Sequence, residues 1–84
     1  MTPIHELLSR IRHDKEFGQG QFEIGYFYRT EDMIHSIAFQ QIEFPAGEGR
    51  AFELPDEFGQ SCRIPFHRVR EVYKDGQRIW RRPA

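Results

Sequence analysis

An α+β domain is the fold class this sequence predicts: an N-terminal helix plus a short helical turn, packed on a curved antiparallel sheet or partly closed barrel of five to six short strands. Three observations predict it. Ile4, Leu7, Leu8 and Ile11 recur at the spacing of one helix face. From Gln21 onward, short runs alternate with the period of a strand. Asp75-Gly76 is the strongest short hairpin signal, because a type I′ turn requires positive φ at both central residues. The 84 residues make a single domain, 1–84. A chain of this length buries only about 60–65% of its unfolded surface. Eight Phe, three Tyr and one Trp compensate, since aromatics bury much area per residue.

Thr2 reads as the N-cap of the helix and Pro3 as its first residue, where the missing N–H costs nothing. Glu6 in the first turn and Arg10 and Arg12 near the end suit the helix dipole. Asp14 is placed to cap a short turn that stops at Gly18 or Gly20, with Phe17 plugging the core. Gln21–Arg29 is a strand with Phe22, Ile24, Tyr26 and Tyr28 on one face and Glu23, Gly25, Phe27 and Arg29 on the other. Gly25 within it marks a bulge or a close backbone approach. Thr30-Glu31-Asp32 turns the chain into a second strand, Met33–Phe39, in which His35 is a partly buried sheet residue. Gln40–Phe44 fits either an extension of that strand or a turn.

Pro45–Gly49 is a loop, Arg50–Leu54 a strand, Pro55–Gly59 a turn, and Ser61 to about Phe66 a further strand. Cys62 on it reads as core. Pro65 bends the chain and presents His67 and Arg68 at a corner rather than in a ladder. In the final hairpin, a two-residue loop pairs Lys74 with Gln77, Tyr73 with Arg78, Val72 with Ile79 and Glu71 with Trp80. That register places Val72 and Ile79 in the core, and gathers Glu71, Tyr73, Arg78 and Trp80 on the opposite face.

Charge is unevenly distributed along the chain. Residues 1–60 carry five Lys or Arg against eleven acids, net −6, and residues 61–84 carry seven against two, net +5. Six of those seven are Arg, whose planar fork matches phosphate and stacks on bases. A basic end on an acidic body suits an anion site; it equally suits two parts that fold together and neutralise. The single Cys62 excludes an intrachain disulfide and a cysteine zinc cluster, which fits a reducing cytosol. The first residues are too polar for a secretory signal, and no apolar run approaches membrane-spanning length. A cytoplasmic protein without membrane attachment is expected.

His5, His13, His35, His67 and Cys62 show no paired ligand spacing, so no metal site and no cofactor is expected. A phosphate-binding glycine loop and a paired His-x-Ser/Thr motif are both missing. Acid–base turnover needs two groups that exchange protons, and only His67 sits in a suitable context. A binding constellation remains: His67 and Arg68 at the corner, Arg29 with Tyr26 or Tyr28 from the first strand, and Arg70, Arg81 and Arg82 from the hairpin. For each residue alone, a solvated or paired side chain is the competing reading, and it is the preferred one for Arg70 and Arg78.

These motifs as a set resemble the RNA cyclic-group end recognition domain, a family of small archaeal and bacterial proteins. The matching runs are Arg12-His13-Asp14, Gly25-Tyr26 leading to Arg29, Ile64-Pro65-Phe66-His67-Arg68-Val69, and Gly76 followed by Ile79-Trp80-Arg81-Arg82, together spanning about Ile4 to Arg82. The resemblance implies an RNA-binding module that recognises an end bearing a 2′,3′-cyclic or terminal phosphate. It implies an end-binding pocket of Tyr26, Arg29, His67 and Arg68, with Trp80 and Arg82 supporting it or contacting RNA. Where family members carry an acid before the arginine, this chain has Tyr28. Two other functions compete: a phosphodiesterase using His67 as acid or base, and a protein-interaction module using the basic hairpin.

Overall fold

The computed structural model describes residues 2–28, 31–47, 49–55 and 58–82. Helix α1 is Ile4–His13, and its buried residues are the four of the apolar stripe. It begins one residue later than the sequence suggests. Pro3 is the N-cap, and its carbonyl accepts from the Glu6 and Leu7 amides. Thr2 does not cap with its side chain; its carbonyl instead accepts the indole N–H of Trp80 at 2.7 Å. After α1, the Asp14 carboxylate accepts the Glu16 and Phe17 amides at 3.0 and 3.1 Å. It holds the turn to Gly18, and the Phe17 bond is the main cause of a carboxyl pKa below the usual range.

Among the described residues six strands follow: β1 Phe22–Tyr28, β2 Met33–Ala38, β3 Ala51–Pro55, β4 Ser61–Pro65, β5 Val69–Lys74 and β6 Gln77–Arg81. They form a four-stranded antiparallel sheet in the order β2-β1-β5-β6 and a separate β3-β4 pair, rather than a closed barrel. Gln40–Phe44 neither simply extends β2 nor only turns. Phe39–Gln41 is a 3-10 turn, and Glu43 then bridges Glu53 of β3 through two backbone bonds. A second 3-10 turn, Phe66–Arg68, is the corner after Pro65.

The core joins the α1 stripe to Phe22, Ile24 and Tyr26 of β1, Phe52 and Leu54 of β3, Ile64 of β4, and Val69, Val72 and Trp80. Cys62, expected in the core, is exposed, because β4 turns Ile64 inward and leaves Cys62 at a rim.

The last hairpin turns at Asp75 and Gly76, with φ of 52° and 85°. Asp75 also accepts the Gln21 amide on its carboxylate and donates its own amide to Gln21 O, so the turn is tied to the start of β1.

Beyond the turn the register departs from a regular ladder. Tyr73 pairs with Arg78, but Val72 pairs with Trp80 and Glu71 with Arg81, leaving Ile79 as a bulge. Trp80 is 8% exposed and Ile79 40%, the reverse of the expected arrangement. The larger ring wins the inward position because it buries more apolar area and its N–H finds a partner in Thr2 O. A second bulge lies between β1 and β5: Gly25 pairs with Glu71 and Tyr26 with Val69, leaving Arg70 as the extra residue. Gly25 therefore fulfils both expectations. It sits at a bulge, and a Cβ there would stand 3.2 Å from Ile34 Cγ2 and 3.4 Å from a Glu71 oxygen.

The bulged register makes a direct stability prediction. Trp80→Ala is expected to cost about 3–5 kcal/mol, as for other buried aromatic truncations. Ile79→Ala is expected to cost less than about 1 kcal/mol, as for most exposed positions. Denaturant titration of both variants checks this, and the opposite order would restore the regular ladder.

Candidate functional site

The two bulges decide which side chains share the outer face of the four-stranded sheet. Val69 and Val72 both point into the core although they are three residues apart, so Arg70 and Glu71 both turn outward between them. On β6, Arg78 and Arg81 flank the inward Trp80 from outward positions. β2 contributes Ile34, 46% exposed, opposite Phe27 of β1.

A cleft of about 500 Å³ opens on this face. Arg70, Arg78, Arg81 and Arg82 line it together with His67 from the corner, with Ile34 at one wall. Glu71 is the single acid in the lining among the described residues. Arg70 also lies over the Phe27 ring at 5.6 Å, so an aromatic face adjoins the cationic wall.

The corner that carries His67 is held by two of these arginines. Arg82 donates from Nε to Val69 O at 2.9 Å and from Nη2 to Phe66 O at 3.2 Å, with its guanidinium 5.3 Å over the Trp80 ring. Arg70 donates to His67 O at 2.7 Å. Phe66 O also accepts the Val69 amide within the 3-10 turn, and the guanidinium groups add donors to it and to the carbonyls that follow. The His67 and Arg81 side chains make no hydrogen bond among the described residues.

Glu71 is fixed from two sides. Tyr73 donates its hydroxyl to Oε2 at 2.8 Å, and Arg78 approaches Oε1 at 3.4 Å. The ion pair is long for a charge-assisted bond and partly exposed, so it contributes at most about 1 kcal/mol and leaves Arg78 readily diverted to a ligand. The bond to Glu71 is the main cause that raises the Tyr73 pKa, with desolvation and the Glu71 charge adding to it and Arg78 opposing.

The residues singled out from the sequence separate in space. His67 and Arg82 line the cationic cleft. Trp80 lies beneath Arg82 in the core, which removes it from any direct stacking on a ligand. Arg68 is half-buried and lines neither this cleft nor the next. Tyr26 faces inward, 7% exposed, at the edge of Phe52. Arg29 lies outside the described residues.

Tyr26 borders a second, more apolar cleft of about 260 Å³ between the sheet and the β3-β4 pair. There His35 meets Glu31 at 3.1 Å and the Tyr28 ring at 4.7 Å. Burial chiefly, then Cys62, Tyr28 and Glu31, raise the Tyr26 pKa. His13 does not pair with Asp14; its ring meets Ser9 Oγ, while Asp14 meets Arg10.

Phe27, Glu71 and Arg78 are the residues that the sequence reading did not place in a site. Alternation along β1 puts Phe27 on the face opposite Tyr26, a signal present in the sequence. Arg78 faces outward in the regular register as well, whereas the outward turn of Arg81 depends on the bulge.

No group of three or more His, Cys, Asp or Glu suited to a metal occurs among the described residues. No helix among them is long and apolar enough to cross a membrane.

An α helix is laid on one face of an antiparallel sheet, with arginines and a histidine around a cleft on the other, in a small α+β domain. The chain belongs to the MJ1316 RNA cyclic group end recognition domain family, whose family model matches residues 1–82. Searches of curated proteins and of solved structures found no match.

The Tyr73–Glu71 contact has a measurable signature. Tyr73 is expected to titrate above the ordinary value of 10.0 and to fall back toward it in Glu71→Ala. Because the folded-state value is raised, the contact stabilises the fold below the ordinary tyrosine pKa and is lost as pH rises through the folded value. Site-resolved NMR of the tyrosine ring carbons reads this. An unchanged Tyr73 titration in the variant would mean that the hydroxyl does not donate to Glu71 in solution.

Proposed function

We propose that this protein binds RNA at a processed end, with the cationic cleft as the seat of a 2′,3′-cyclic or terminal phosphate. The observation that carries the reading is the convergence of His67, Arg78, Arg81 and Arg82 on one cleft of a size suited to a phosphate and its ribose. Membership of a family named for RNA cyclic group end recognition points the same way. Arg81 and His67 meet the phosphate oxygens directly, since charge-assisted N–H···O bonds to phosphate are among the strong ones. Arg78 leaves its loose pair with Glu71 to join them. Arg82 and Arg70 stay on the backbone carbonyls and add positive field. The terminal base stacks beside Phe27 and Arg70, worth about 1–3 kcal/mol for one base. A protonated imidazole is the better donor to phosphate, so binding through His67 tightens as pH falls.

Tyr26 and Arg68, which the family resemblance placed in the pocket, serve other purposes in this reading. Tyr26 belongs to the core and the second cleft, and Arg68 adds charge at the corner. Trp80 supports the site from below by backing Arg82.

The test is an NMR titration with two short RNAs of one sequence, one ending in a 2′,3′-cyclic phosphate and one in a 3′-hydroxyl. Shifts at His67, Arg78 and Arg81 are expected with the cyclic end and not with the hydroxyl end. Equal shifts with both would reduce the activity to backbone binding, and no shifts with either would overturn it. Arg81→Ala is expected to weaken the cyclic-end complex about tenfold, within the usual range for a lost charged hydrogen bond. It should also lower the steepness of the salt dependence by about 0.7, the value for one phosphate contact to single-stranded RNA.

A further inference from the structure

The acid in the cationic cleft calls for a reason. Glu71 lies among Arg70, Arg78, Arg81 and Arg82, where a carboxylate weakens the attraction for any anion. Yet the fold holds it there. Tyr73 donates to one oxygen and Arg78 approaches the other. The neighbouring strand presents Gly25, whose missing Cβ leaves room beside the same carboxylate. Tyr73 keeps its bond to Oε2 when Arg78 turns to the phosphate, so Glu71 presents the ligand with a negative charge held in place.

We infer that Glu71 is a specificity-determining residue that biases the cleft against doubly charged phosphate monoesters and toward the singly charged cyclic phosphodiester. This rests on the end-binding reading above and names the ligand class of that same site. A 2′,3′-cyclic phosphate carries one negative charge at any pH near neutrality. A terminal monoester has a second ionisation with a pKa of about 6, so it is largely a dianion at pH 7.5. The arginines attract both, and the dianion more. Repulsion from Glu71 also scales with ligand charge, so it removes part of the dianion's advantage while costing the monoanion half as much. A repulsive charge in the cleft lowers both affinities and shifts the difference between them toward the monoanion.

The test uses the full chain and three RNAs of identical sequence, ending in a 2′,3′-cyclic phosphate, a 3′-monophosphate or a 3′-hydroxyl. Dissociation constants are measured at fixed salt for the wild type, Glu71→Gln and Tyr73→Phe. Gln keeps the size of the side chain and an acceptor for Tyr73, so Glu71→Gln isolates the charge. It is expected to bind both phosphorylated ends more tightly and to move the cyclic-to-monoester preference about tenfold toward the monoester, equivalent to about 1.4 kcal/mol. Tyr73→Phe keeps the charge and is expected to keep the wild-type preference within about twofold. Lowering the pH from 7.5 to 5.5 removes most of the second monoester charge, and the change in the cyclic-to-monoester ratio between wild type and Glu71→Gln is expected to shrink with it.

If the cyclic end binds in preference to the hydroxyl end but the ratio is unchanged in Glu71→Gln, the role of Glu71 is overturned and end binding stands. Loss of the preference in Tyr73→Phe to the same extent as in Glu71→Gln would overturn a charge effect in favour of a shape effect. If no phosphorylated end outcompetes the hydroxyl end, the end-binding reading fails and the role of Glu71 falls with it.

Discussion

Burial of Trp80 is the constraint from which the site follows. A regular ladder after the Asp75-Gly76 turn would set Ile79 inward beside Val72 and Trp80 outward opposite Glu71. Instead β6 bulges at Ile79, Trp80 enters the core, and its N–H closes on Thr2 O ahead of α1. The bulge gives up a ladder position, a loss offset by burying a ring larger than isoleucine with its one polar atom satisfied. Arg81 then falls opposite Glu71. The second bulge, at Arg70, lets Val69 and Val72 both be fully buried and turns Arg70 and Glu71 out together. Core packing in this way composes the charged face, since three arginines and an acid that regular alternation would scatter are gathered on one side.

Bringing arginines together is costly unless something answers their charge. In this cleft the answers come from the backbone. The 3-10 corner and the start of β5 offer the carbonyls of Phe66, His67 and Val69, and Arg70 and Arg82 take all three. The guanidinium groups stabilise the corner that displays His67, while the carbonyl dipoles stabilise the guanidinium groups. Glu71 contributes a full negative charge on the same side. Structural and functional demands therefore meet in the same residues: Arg82 positions the corner and contributes to the field, whereas Arg81, with no bond of its own among the described residues, is available to a ligand.

Much of the fold is legible locally. The α1 stripe is a matter of spacing, and all four of its residues are buried. The positive φ values at Asp75 and Gly76 follow from residue type alone, as does the corner after Pro65. The register beyond the turn is not local. Choosing between Ile79 and Trp80 for the inward position depends on α1 and Thr2, nearly eighty residues away in the chain, and no period in the hairpin encodes it. Gly25 announced a bulge without saying which strand carried the extra residue. The site inherits these limits. His67 and Arg82 are legible through the corner and the charge count, whereas Arg78 reads as solvated or paired: its partner Tyr73 is in the predicted register, but the company of Arg81 on the same face follows only from the bulge.

Strand β1 separates two environments that the sequence reading had merged. Tyr26 and Phe27 are adjacent in the chain, and a strand sends adjacent side chains to opposite faces. Tyr26 goes to the core and the second cleft; Phe27 goes beneath Arg70 on the cationic side. The separation determines how substitutions must be read. Arg78, Arg81 and Glu71 lie outside the core, so their effects on a ligand can be separated from effects on the fold. Tyr26 and Trp80 are core residues, and loss of binding in either would report damage to the sheet that carries the cleft before it reported a lost contact. Arg82 stands between the two groups. Its charge faces the cleft, but its bonds hold the corner, so a variant that keeps the charge and loses the fork of donors, such as Arg82→Lys, begins to divide one contribution from the other.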